Sequence, residues 1–250
     1  MPKFCANLTW LFTELDVLSR FAAAKDYGFE AVELLNPYDV SAQDIADQLI
    51  RTEQQFALFN CPPPNYTGGF RGFAAVAGSE ERFQQDFRRS LRYASKLNPL
   101  FVHVMAGVAE GDAARKRFVA NLQYAADLQP KQALTVEPLN PVDQPGYFLN
   151  DYYQARDILA EIDRPNVHLQ FDAYHVHRIH GDVMKVWSDL REIVAHIQIA
   201  QAPDRSEPKK GPIDYPAFFE TLDRDGYNGW VSCEYKPKVE TGAGLSWMTS

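Results

Sequence analysis

Short apolar runs, each followed by a longer amphipathic stretch, recur from one end of this chain to the other, and that alternation limits the fold more than any other feature. Runs at residues 3–8, 29–35, 56–60, 100–105, 134–136, 166–172, 196–200 and 230–234 are short and rich in β-branched and aromatic residues, and they read as strands. Between them, helices are predicted over about 13–27, 41–54, 80–97, 113–128, 151–162, 182–193 and 215–224. Thr13, Ser41 and Asp151 offer capping oxygens, and Gly28 offers a stop. About eight strands with a helix after nearly every one is the order of an α/β chain closed into a single (β/α)8 TIM barrel. A doubly wound open sheet is the alternative, but no Gly-x-Gly-x-x-Gly turn or phosphate loop follows any strand. The 250 residues match the ~250 typical of one such barrel, so a single domain over 1–250 is expected.

With 46% hydrophobic and 23% charged residues, the chain has the composition of a globular protein with a large core. Its net charge of −8 argues against nucleic acid, because binding a phosphate backbone depends on neutralisation by Lys and Arg. Cys5, Cys61 and Cys233 are odd in number and lack a Cys-x-x-Cys pair, so neither a disulfide framework nor a thiolate metal knuckle is expected. Neither a leader-like amino terminus nor a run of ~18 apolar residues is present, which predicts a soluble cytoplasmic protein with no membrane partner. Oligomeric state stays open.

The strand at 134–136 ends abruptly in Glu137 and Pro138, and proline cannot continue a central ladder. Glu137 therefore lies at a strand's carboxyl end, the end where barrel enzymes build their sites. Asp172, Gln198 and Glu234 occupy matching places at or near the ends of the next three strands. A lone strand-end acid is more often a helix cap or a salt-bridge partner. Three acids gathered at one rim repel one another and call for a cation, and an all-oxygen set with Gln198 suits Mg²⁺ or Mn²⁺. His175, His177 and His180 lack zinc-motif spacing, and His175 reads better as a donor to a ligand oxygen. His103 and His196, inside strands, are either core residues or substrate contacts. Arg205, after the seventh strand, either pairs with an acid or binds an anionic substrate group. Cys233 alternates away from Glu234 and reads as packing. The Pro-, Gly- and aromatic-rich stretch at about 61–79 reads as a lid-like loop, and Trp10, Phe12, Tyr66 and Phe70 are possible walls.

Glu137-Pro-Leu-Asn-Pro-Val-Asp-Gln-Pro-Gly146, Asp204-Arg-Ser-Glu-Pro208 and Gly229-Trp-Val-Ser-Cys-Glu-Tyr-Lys-Pro237 closely resemble segments of the hydroxypyruvate isomerase family, which belongs to the xylose-isomerase-like barrels. The likeness runs over nearly the whole chain. It implies a divalent-metal isomerase whose ligands match Glu137, Asp172, Gln198 and Glu234, with Glu137 and Glu234 also moving the proton. It further implies that His175 and Arg205 face the substrate and that Asp143 is an acid beside it. His103-Val-Met-Ala-Gly107 and Ala57-Leu-Phe-Asn60 look more like the 2-oxo-tetronate isomerase subgroup, whereas Glu137-Pro-Leu-Asn140 with Asp143 looks like hydroxypyruvate isomerase proper. Cys61-Pro-Pro-Pro-Asn65 and Asn36 depart from the family pattern and bear on substrate choice. The expected activity is isomerisation of a small anionic sugar acid, hydroxypyruvate or a 2-oxo-tetronate, through an enediolate. Its rivals are a ketose epimerase on the same barrel, a metal-dependent barrel endonuclease, which the acidic balance disfavours, and a non-catalytic sugar-acid binding protein.

Overall fold

A computed structural model describes residues 1–61 and 72–249. The strands are β1 (Lys3–Asn7), β2 (Ala31–Glu33), β3 (Gln55–Phe56), β4 (Leu58–Cys61), β5 (Phe101–Val104), β6 (Ala133–Val136), β7 (Val167–Asp172), β8 (Val194–Ile199) and β9 (Trp230–Cys233). They pair in parallel in the order β3-β2-β1-β9-β8-β7-β6-β5-β4. The predicted third strand appears as the two short ladders β3 and β4, parted only by Ala57. Because those ladders end the series, the sheet closes on itself there: Leu34 N–H donates to Leu58 O at 3.3 Å and Asn60 N–H to Leu35 O at 2.9 Å. The result is a (β/α)8 TIM barrel.

Helices α1 (Ser19–Asp26), α2 (Ala42–Thr52), α3 (Glu80–Leu97), α4 (Gly111–Leu128), α5 (Tyr152–Ile162), α6 (Ala173–His180), α7 (Val183–Leu190) and α8 (Tyr215–Arg224) surround it, with a short α9 (Thr241–Gly244) near the carboxyl end. Local chemistry explains their limits. Ser41 caps α2 through Gln43 N–H, and the apolar face of Ile45, Ala46 and Leu49 is buried. Asp151 caps α5 through Gln154 N–H at 2.8 Å. The first helix starts later than expected: Asp16, not Thr13, accepts from Ser19 N–H, after Phe12 has turned the chain at φ 57°. Helix α6 was not anticipated.

Strand alternation sorts the side chains into two apolar zones. Phe4, Val32, Phe59, Val102, Leu134, Leu169, Phe171, Ile197, Val231 and Cys233 face the helices in one continuous core. Phe171 packs between Tyr152, Trp187 and Phe218, with ring centroids 5.7, 5.7 and 6.0 Å away. Cys5, Ala31, Ala57 and Leu58 form a separate small apolar cluster with Phe101 and Trp230. Residues of the opposite parity farther along the strands, Asn7, Glu33, His103, Thr135, Gln170, His196 and Gln198, are buried polar side chains inside the barrel. A barrel filled this way holds its rim residues on a supported polar layer. Among the described residues, no helix is long and apolar enough to cross a membrane.

Candidate active site

Glu137 follows β6, Asp172 ends β7 and Glu234 follows β9, so three carboxylates meet at the carboxyl rim. Each is buried, with Asp172 fully so and Glu137 and Glu234 at 6% and 7% exposure. Asp172 divides its two oxygens. Oδ1 caps α6 by accepting from Tyr174 N–H at 2.8 Å, and Oδ2 takes the Arg205 Nη2 donor at 2.7 Å. The same Nη2 lies 3.1 Å from Glu234 Oε1. Arg205 stands in the left-handed region at φ 54° and lies against the Tyr174 and Trp10 rings, its guanidinium carbon 4.7 and 5.8 Å from their centroids. Glu137 Oε2 accepts from Gln170 Nε2 at 3.0 Å, and its Oε1 is 4.0 Å from His175 Nε2.

One guanidinium among three buried acids leaves negative charge uncompensated. Burial raises the Glu137 carboxyl well above the usual range, and repulsion from Glu234 and Asp172 adds to it. Burial likewise lifts Glu234 to about 8, with Arg205 opposing and Asp172 and Glu33 reinforcing. Asp172 is raised by burial too, against the pull of Arg205 and the capping N–H groups. Burial works against the Arg205 cation, but Glu234, Asp172 and Glu137 outweigh it and hold its proton more tightly than usual. If all three acids ionise, they and Arg205 sum to −2, the charge a divalent cation would balance. Their oxygens, with the Gln198 carbonyl paired in register beside Asp172, form a donor set that fits a hard cation such as Mg²⁺ or Mn²⁺.

Glu137, Asp172 and His175 bring possible ligand atoms within 4.8 Å of one another. His175 does not fit as a ligand, however. Its Nδ1 accepts from Asn140 N–H at 2.9 Å, so the neutral ring carries its proton on Nε2. That Nε2–H faces Arg205 Nη1 at 3.1 Å, a donor beside a donor, and both are placed to serve one acceptor oxygen.

The remaining expectations sort by position. Asp143 Oδ2 accepts from Tyr174 OH at 2.8 Å and Asn140 Nδ2 at 3.0 Å, which ties it to the His175 corner. His103 lies beneath Glu137, Nδ1 to Oε2 3.9 Å, with Asn60 Oδ1 at 3.1 Å, and burial drives its pKa down to about 3, so it is neutral. Trp10 walls the site beside Arg205, whereas Phe12 packs into the core against Tyr27 and Phe29. His180 lies near Asp151 and His177 near Gly181 O, away from the cage. Most of the expected lid, with Tyr66 and Phe70, lies outside the described residues, and Gly72 at its far end bridges to Ala106. Sequence reasoning placed Glu33 in the second strand but gave Glu33, Gln170 and Tyr174 no role in the site. Glu33 had a signal, since 27–33 and 225–234 both run Gly, aromatic, strand, Glu.

The profile of the family described as xylose isomerase-like TIM barrel matches residues 21–250. A 2-oxo-tetronate isomerase of Cupriavidus necator is 43% identical over 255 residues, covering 99% of this chain and 98% of that protein. A hydroxypyruvate isomerase of Escherichia coli is 35% identical over 254 residues, with the same coverage of 99% and 98%. Among solved structures, a Brucella melitensis protein described as an AP endonuclease, family 2, is 40% identical with a TM-score of 0.96, covering 100% of this chain and 98% of that one.

Proposed function

The chain belongs to the xylose isomerase-like TIM barrel family, and we propose that its rim isomerises a small 2-oxo acid with the help of a divalent cation. Relatives of this length are named isomerases of small oxo acids, and the chain is an isomerase of that kind. Those named 2-oxo-tetronate isomerase are 38–43% identical and the Escherichia coli hydroxypyruvate isomerase is 35% identical, which favours a 2-oxo-tetronate over hydroxypyruvate.

The reading rests on one observation above all: two buried glutamates with raised proton affinity, Glu137 and Glu234, flank the Asp172–Arg205 pair. Glu137, Asp172, Gln198 and Glu234 would hold Mg²⁺ or Mn²⁺. Such an ion supplies Lewis acidity toward the carbonyl and the neighbouring hydroxyl of the substrate. One glutamate takes the proton from the hydroxyl-bearing carbon, and the other returns a proton to the former carbonyl carbon. The hydroxyl proton passes to the carbonyl oxygen, so atoms and charge balance. Raised proton affinity suits both halves of that transfer, because one glutamate acts as the base and the other as the acid. His175 Nε2–H and the Arg205 fork meet an anionic substrate oxygen, and the Tyr174 and Trp10 rings hold the guanidinium in place.

The test is proton NMR in heavy water of a 2-oxo-tetronate, hydroxypyruvate and a neutral ketose, with and without Mg²⁺. Isomer formation from the oxo acid only with Mg²⁺ is expected, together with its loss in Glu137→Gln and Glu234→Gln. Near-normal turnover by either variant with metal bound would overturn the assignment. Preference for the ketose would mark an epimerase, and binding without turnover a non-catalytic protein.

A further inference from the structure

We propose that Glu33, at the end of β2, is a positioning residue that fixes the Gln198 amide with its oxygen turned toward the carboxylate cage. Glu33 is fully buried, as are the three side chains that contact it. Asn7 Nδ2 and Gln198 Nε2 donate to Oε1 at 2.7 and 2.8 Å, and His196 Nε2 lies 2.7 Å from Oε2. Oε1 of Glu33 accepts from the Asn7 NH₂ as well, so the end of the Gln198 amide that meets this oxygen is its donor end. The other end, Oε1, accepts from Gln170 Nε2 at 2.6 Å, and Gln170 Nε2 also donates to Glu137 Oε2 at 3.0 Å. Gln170 Oε1 accepts from Thr135 Oγ1 at 2.9 Å.

Two amides thus run in series between two carboxylates, and each points the only way that leaves no like pair in contact. Reversing Gln198 would set its oxygen against Glu33 Oε1 and its NH₂ against the Gln170 NH₂. Buried as they are, two such clashes cost far more than the hydrogen bonds they replace. The consequence is chemical: the carbonyl that a hard cation prefers faces the Asp172 side, and the donor that would repel it faces Glu33. The proposal rests on reading Gln198 as a cation ligand, and partners of ligands at this remove are worth 10–100-fold in metal affinity.

Two measurements test it. In the metal-free wild type, ¹⁵N-edited NMR should show Gln198 Nε2H₂ protons that exchange slowly with water and give an NOE to the Asn7 side-chain amide. A fast-exchanging Gln198 amide without that NOE would overturn the proposal, whatever the metal does. In the second, Mn²⁺ affinity is measured for Glu33→Met, Glu33→Gln, Gln198→Met and the Glu33→Met/Gln198→Met pair. Glu33→Met should weaken binding 10–100-fold. Glu33→Gln should recover most of it, because its amide oxygen can still accept from Gln198 and its NH₂ can donate to His196 Nε2. In the Gln198→Met background, Glu33→Met should add nothing. An equal loss in both backgrounds would mean Glu33 acts by charge alone and would overturn positioning. Failure of the wild type to bind Mn²⁺ at all would instead remove the metal reading, with the NMR result still deciding the amide's orientation.

Discussion

Binding of a divalent cation to the metal-free protein should release protons, and the number follows from the carboxylates. With burial holding Glu234 at about 8, that group is roughly nine-tenths protonated at pH 7. Glu137 is raised as well and repels Glu234, so the two share their protons as a pair. Asp172 keeps the Arg205 contact and two capping N–H bonds, which favour its charged form. The pair therefore holds between about one and two protons at pH 7, and both must leave for the acids to ligate an ion. Titration calorimetry with Mn²⁺ in buffers of different ionisation enthalpy reads this number as a slope. About one to two protons should be released at pH 7, and Glu234's share should fall to roughly a tenth of a proton at pH 9. Apparent affinity should climb about tenfold per pH unit for each proton released. A slope near zero at pH 7 would mean the acids are already ionised, with Arg205 sufficient to neutralise them, and the case for a cation-demanding cage would fail.

Stability of the metal-free protein should move with pH in the direction set by the same groups. Glu137, Asp172 and Glu234 all bind protons more tightly folded than unfolded, so their contribution is complete below about pH 4 and declines as pH rises, with the Glu234 share lost through about 8. Thermal unfolding with a chelator should show Tm falling from pH 5 to 8.5, Mn²⁺ should flatten that slope, and a rising Tm would contradict the sign. Arg205→Lys keeps the charge but loses the planar guanidinium whose Nη2 lies between Asp172 and Glu234 while its Nη1 faces His175, so KM for the oxo acid should rise by about tenfold in steady-state assays. An unchanged KM would detach Arg205 from substrate. Phe171→Ala, at the centre of the Tyr152, Trp187 and Phe218 packing, should cost about 3–5 kcal/mol in urea unfolding. A cost below about 1 kcal/mol would show that site to be loosely packed.

The rim was legible in the sequence because each of its acids comes where a short apolar run stops, and a closed parallel barrel sends all such stops to one end. Helix α6 was not, because Asp172 does two jobs with its two oxygens: the residue that ends β7 also caps the helix that begins at Ala173, with no turn residue between them. The gap between β3 and β4 was equally hidden, since Ala57 interrupts the ladder without a Gly or Pro to announce it. What stayed hidden was how the layer beneath the rim is connected, although His103 and His196 were legible as strand residues of the core or the site. Glu33 and His196 are 163 residues apart, and only strand register reveals that they touch. Yet the period of a strand contains the rule that would have found most of that layer. Side chains two residues apart face the same way, so the residue two before each rim position must lie directly below it inside the barrel: Thr135 under Glu137, Gln170 under Asp172, His196 under Gln198, Ser232 under Glu234. All four of these are polar and buried. Polar residues spaced by two at the end of an apolar run therefore mark a rim group and a buried polar layer beneath it, and in this layer Gln170 holds Glu137 and Gln198 by donating to both.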